Sequence, residues 1–154
     1  MIYQKTYYPK RPVKSFQDLE VYQRSLAVSV VIVKKITDSA PDGPSNGNIV
    51  SDLKISIIRN LLSCALAIPM QITTAHSLRF DTQQKALDNL ENAMLNCNKA
   101  VVYLEQYRDI CNNGIEHSFF EEQVKNLLSI RMKTLHLSRS WKKFMAEDLR
   151  KVKP

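Results

Sequence analysis

Apolar positions along this chain recur at intervals of three and four, and few polar breaks separate them. Leu19, Tyr22, Leu26, Val30 and Val33 mark one stripe of a helix expected over about residues 16–37. Val21, Val28 and Ile32 form a second stripe on the opposite side, so this helix should be buried on two sides. In so small a protein the second cover is expected to be another subunit, because an open stripe would invite aggregation. Ser15, followed by Asp18 at the third helical position, has the form of a capping box. Asp38–Asn48 (DSAPDGPSNGN) reads as a loop. A second helix is expected over 49–76, with Leu53, Ile57, Leu61, Cys64, Ile68 and Ile72 on one side. Pro69 within it removes a backbone hydrogen bond and predicts a kink rather than a stop. Ala86, Leu90, Ala93, Cys97, Ala100, Leu104, Tyr107 and Cys111 then alternate four and three. They predict a third helix over 82–111 whose small residues let a neighbour approach. Asp81 with Gln84 is the expected cap of that helix, and Gly114 its closing turn. Ser118 with Glu121 is the expected capping box of a fourth helix over 119–150, about 48 Å long.

Four long antiparallel helices joined by short polar loops predict an all-α, up-down four-helix bundle over 15–150, preceded by a basic, aromatic arm at 1–14. The three glycines, Gly43, Gly47 and Gly114, all lie in the polar breaks, consistent with a cost of about 1 kcal/mol for Gly inside a helix. A chain of 154 residues, 44% apolar and 24% charged, suits one folded domain. The apolar stretch Leu26–Val33 is interrupted by Ser29 and is too short to span a bilayer. The N-terminus lacks a secretory apolar core, so a cytoplasmic setting without a membrane partner is expected.

The candidate chemistry is thin. Cys64, Cys97 and Cys111 are an odd number without a Cys-x-x-Cys pair. His76, His117 and His136 share no ligand spacing with them or with an acid, so neither a metal nor a cofactor is expected. Isolated glycines make no phosphate loop, and Ser138 and Ser140 have no base arranged beside them in sequence. Arg131 and His136 match the Arg-x4-His spacing of HEPN-type ribonucleases. On a regular helix, however, residues five apart diverge by about 140°. That ribonuclease is the catalytic alternative; the expectation is a protein with no enzyme activity.

Charge changes the picture. Residues 1–40 carry a net +4, residues 41–124 a net −4 and residues 125–154 a net +7. On the fourth helix Phe120, Val124, Leu127, Leu135, Met145 and Leu149 share one sector. Lys125, His136, Arg139, Lys143 and Arg150 fall within about 60° of one another in a separate sector, with Lys133 beyond them. Lys142 projects with the apolar set and would have to snorkel. A merely solvated face mixes its signs to gain i,i+4 pairs. This bias therefore points to a polyanion, RNA or DNA, held by Lys125, Lys133, His136, Arg139, Lys142, Lys143 and Arg150. Solubility alone is the competing reading. Trp141, the single Trp, is expected to be partly buried, with base stacking as the alternative. Tyr3, Tyr7 and Tyr8, interleaved with Lys5, Lys10, Arg11 and Lys14, fit an RNA- or protein-binding arm as well as an idle tail.

Ser15-Phe16-Gln17-Asp18-Leu19-Glu20-Val21-Tyr22-Gln23 resembles the opening signature of the small bacterial four-helix-bundle proteins that include the 23S rRNA intervening-sequence proteins. Ala67-Ile68-Pro69-Met70-Gln71-Ile72-Thr73-Thr74-Ala75 is similar to that family's phrase ending the second helix, S-I-P-x-N-I-A-E-G, and keeps its proline. Ala93–Lys99 resembles its A-x-x-S-L-x-E. Thr74 and Lys99 stand where the family has glutamates, and Ala75 where it has glycine, so negative charge is lost and positive charge gained. Leu135–Lys143 is similar to the basic last helix of one branch, the accessory variability determinants of diversity-generating retroelements. The resemblance implies a ring-like homo-oligomer, a homopentamer, without enzyme activity. It also implies binding to nucleic acid and to a reverse transcriptase during mutagenic cDNA synthesis. A ribosomal-RNA-associated or structural bundle without a polymerase partner is the alternative within the family.

Overall fold

The computed structural model describes residues 13–39 and 48–152; most of the expected basic arm lies outside them. Helices start here where polar groups meet free amides, though not always at the expected residue. The Ser15 box forms: its Oγ accepts from the Gln17 amide at 3.2 Å, while Asp18 Oδ2 accepts from the Ser15 amide at 3.2 Å. What it caps is a separate 3-10 turn, Phe16–Asp18, because Leu19 is extended (ψ 123°) and breaks the path into α1, Glu20–Ser39. Next comes α2, Ile49–Leu78, capped by Asn48, whose side chain accepts from the Val50 amide at 3.1 Å. Pro69 lies inside α2 without stopping it. Two expected caps do not form. Helix α3, Gln83–Gln106, follows Thr82, which makes no side-chain cap, and Gln84 instead donates to Asp88 one turn on at 2.9 Å. Helix α4, His117–Val152, opens on the Glu116 carbonyl, which accepts from the Phe119 amide at 3.1 Å; Ser118 Oγ turns back toward the Glu116 carboxylate. Between them a π-helical turn, Tyr107–Cys111, unwinds through Asn112 (φ 30°) and Gly114 (φ 74°), where glycine's freedom serves the left-handed backbone.

The four helices pack in ring order, each against the next and α1 closing on α4, with α2 and α3 sharing the most extensive seam. This is an all-helical bundle; no strand occurs among the described residues. The expected α3 seam is buried at all eight positions. Against it stand Ile32 and Ile36 of α1, Leu61, Ala65, Ile68 and Ile72 of α2, and Phe120, Leu127 and Ile130 of α4, each 1% exposed or less. A fully buried Leu, Ile or Phe contributes about 1.5–3 kcal/mol.

Helix α1 keeps only part of its first expected stripe inside, with Leu19 and Tyr22 half-buried against the core, and draws in the second. Val21, Val28 and Ile32, expected to face another subunit, are 6%, 7% and 0% exposed and belong to the bundle's own core. Leu26 and Val30, expected inside, are outside together with Val31. The physical reason is that Ser25 and Ser29 share the buried face. Their hydroxyls donate to the Tyr22 and Leu26 carbonyls at 2.9 and 2.8 Å, so the serines enter the core already hydrogen-bonded.

Helix α2 is the one described helix long and apolar enough to cross a membrane by length and composition, and 28% of its most apolar window is buried. Its outer face carries Leu66 and Met70, 49% and 66% exposed, among Ser63, Thr74 and Ser77. Thr74 and Ser77 donate to the Met70 and Thr73 carbonyls, so this face presents little free polarity.

Candidate nucleic-acid interface

The burial pattern of α4 fixes where its cations point. Phe120, Gln123, Leu127, Ile130, Thr134 and Ser138 recur at three and four and face the core. Lys125, His136, Arg139, Lys143 and Arg150 sit half a turn away from that line and are all exposed. Leu128 and Met132, each 43% exposed, lie on the same outward side. The sequence therefore brings five of its expected binding residues to one solvent-facing flank, and none of the five forms an ion pair among the described residues.

Two expected members behave differently. Lys133 lies at the edge of α4 that meets α1, and its Nζ is 3.4 Å from Glu20 Oε1, a carboxylate that also pairs with Arg24 at 2.8 Å. The hydrogen bond from Lys133 and the two nearby positive charges hold the Glu20 carboxyl below its ordinary range. A cation already paired in this way has less to offer a phosphate. Lys142, expected to snorkel, is exposed. Among the described residues none beyond Ser138 is buried, so the last turns of α4 have left the bundle core behind, and only Trp141 and Met145 there are half-covered. That also exposes Lys151, which a wheel drawn from the apolar stripe does not single out.

The remaining candidates do not converge on a reaction centre. Arg131 is half-buried and close enough to Cys97 to act on its thiol, whereas His136 is exposed on the outward flank, so within one chain the two do not meet. Burial pushes the Cys97 thiol up to about 12 and raises Cys64 and Cys111 as well, which suppresses thiolate chemistry at all three. His76, near the end of α2, receives a neighbour's hydrogen bond. Arg79 donates to its backbone carbonyl and lies 3.1 Å from Nδ1. Since a guanidinium only donates, Nδ1 must accept, and the ring is held neutral with its proton on Nε2. Burial, then the Arg79 charge, lowers this histidine's pKa. No group of three or more His, Cys, Asp or Glu able to hold a metal ion occurs among the described residues. No protein-family model, curated protein or solved structure matches this chain.

Proposed function

We propose that this protein is a non-catalytic, nucleic-acid-binding four-helix bundle that serves a reverse transcriptase as accessory subunit in a diversity-generating retroelement. The observation that carries nucleic-acid binding is the flank of α4 where Lys125, His136, Arg139, Lys143 and Arg150 stand in solvent without carboxylate partners among the described residues. Lys125 and Arg150 lie 25 residues apart, about 38 Å along a helix, a length that many phosphates of a nucleic-acid strand would occupy. Such a rod binds phosphates with little base specificity, by displacing condensed counterions. The polymerase partner and the retroelement rest on the resemblance of Ser15–Gln23 and Leu135–Lys143.

The homopentamer implied by that resemblance belongs to the same proposal. The surfaces open to a second copy are the weakly polar outer face of α2 around Leu66 and Met70, and the outer stripe Leu26, Val30 and Val31 of α1. The Arg59 charge, exposed on the same α2 face, favours a protein cover over lipid. Mass measurement of the purified protein is expected to give a closed oligomer that Met70→Glu disrupts; a monomer at all concentrations contradicts it.

Two measurements test the rest. Anisotropy titrations with labelled RNA and single-stranded DNA should show binding whose affinity falls steeply with salt; binding indifferent to salt, or none, removes the polyanion reading. Copurification with a reverse transcriptase encoded beside this gene separates the retroelement role from a ribosomal-RNA-associated or structural bundle. Failure to copurify leaves only the latter.

A further inference from the structure

Where α4 passes the turn joining α2 to α3, the two segments enclose a cleft of about 320 Å³. Three aromatic rings line it: Phe80 from the turn, and Trp141 and Phe144 from successive turns of α4. Phe80 is 78% and Phe144 64% exposed, while Trp141 is half-buried. Large rings left this open beside one another mark a surface made for contact rather than for the fold. Phe80 is also held in place. The Arg79 guanidinium lies 4.2 Å from the Phe80 ring centroid and is anchored by its hydrogen bonds to His76, which gives the cleft a fixed planar cation next to a fixed ring.

The polar groups of the cleft decide what it can hold. Asp148 lines it, and a carboxylate there repels a phosphate while accepting a hydrogen bond from an exocyclic amine. Gln83 offers a side-chain amide, both donor and acceptor. Within the cleft the Arg79 guanidinium lies over the Phe80 ring, and further cations stand outside it on α4, at Arg139, Lys142, Lys143 and Lys151. The volume is at the low end for a ligand site, which suits a small flat occupant. An aromatic, amine-accepting seat bordered by phosphate-binding cations complements one polymer unit: a planar base joined to phosphates on either side.

We propose that this cleft seats an unpaired base of single-stranded nucleic acid, stacked against Phe80, Trp141 and Phe144, while the α4 cations hold the flanking phosphates. The assignment rests on the nucleic-acid reading above and adds to it a preference for single strands, since a paired base cannot leave its stack without cost. Base–aromatic stacking predicts that Phe144→Ala and Phe80→Ala each weaken single-strand binding about five- to 150-fold. Both rings are exposed, so neither change should unfold the bundle.

The test compares three probes on the full chain: a single-stranded oligonucleotide, the same strand in a duplex, and an abasic oligomer of equal length. Trp141 is the only Trp, so its fluorescence reports the cleft directly. The expected result is quenching by the single strand and little by the duplex or abasic oligomer. The two Phe variants should lose the single-strand preference and keep the wild-type salt slope. Salt-dependent binding with unaltered Trp141 fluorescence and unaltered variants overturns the base seat and leaves the phosphate reading standing. Absence of any binding at low salt overturns both. If Phe144→Ala abolishes copurification with the polymerase and leaves oligonucleotide binding untouched, the cleft belongs to a protein partner and the proposal fails.

Discussion

The two halves of α4 share one helix and obey different rules. From His117 to Ser138 an inward residue recurs every third or fourth position, and this half is wedged between α1 and α3. From Arg139 to Lys151 no residue is buried; only Trp141 and Met145 are half-covered. The first half answers to packing, where one methylene changes stability. The second answers to solvent and to whatever approaches through it, so its composition is free to be five cations against Glu147 and Asp148. A continuous helix therefore divides into an anchor and a projecting rod, and the charge that suggests a function concentrates where the fold makes least demand.

The largest expected effect breaks the anchor. Leu127→Ala empties a fully buried site and should cost about 2–5 kcal/mol, read by thermal or denaturant unfolding. The protein that remains folded should bind polyanions as before. Removing residues 139–154 gives up the half-buried Trp141 and Met145, a loss of about 2 kcal/mol, and should yield a folded bundle that no longer binds RNA or single-stranded DNA.

A pH effect separates the halves again, because His76 lies in the bundle end and not on the rod. Its pKa is lowered in the folded state, so the unfolded chain takes up a proton first as pH falls below the ordinary 6.5. Stability should therefore decline from about pH 7 toward pH 5, and His76→Gln should flatten that decline in denaturant titrations followed at each pH. The smallest effect concerns Lys133, at the seam with α1. Its pair with Glu20 is largely exposed, so Lys133→Ala should cost about 0–1 kcal/mol. It should also let the Glu20 carboxyl titrate nearer its ordinary value, which NMR would follow.

The same contrast explains what sequence alone makes legible. The α3 seam can be read completely because small and apolar residues hold every one of its inward positions. On α1 the reading fails at Leu26 and Val30, since two stripes compete and the true core face carries Ser25 and Ser29, whose self-satisfied hydroxyls a count of apolar residues discards. Helix α4 repeats the lesson. Thr134 is fully buried with its hydroxyl on the Ile130 carbonyl at 2.8 Å, Ser138 is buried beyond it, and Gln123 is buried although its Oε1 finds no partner among the described residues. Leu149, expected inside, is 68% exposed because the bundle has ended before it. The cation flank is visible in sequence because it depends on one helix and its period. The pairing of Lys133 with Glu20, and the cleft shared by Phe80 and Phe144, depend on distant segments meeting and leave no local signal.

The most direct test of the account is the salt dependence of nucleic-acid affinity for the wild type beside Arg139→Ala/Lys143→Ala. With both cations contacting phosphates, the slope of log affinity against log salt should become shallower by about 1.4 on single strands, while unfolding is unchanged. An identical slope in the two proteins would mean that the outward flank of α4 touches no phosphate, and would contradict the central claim.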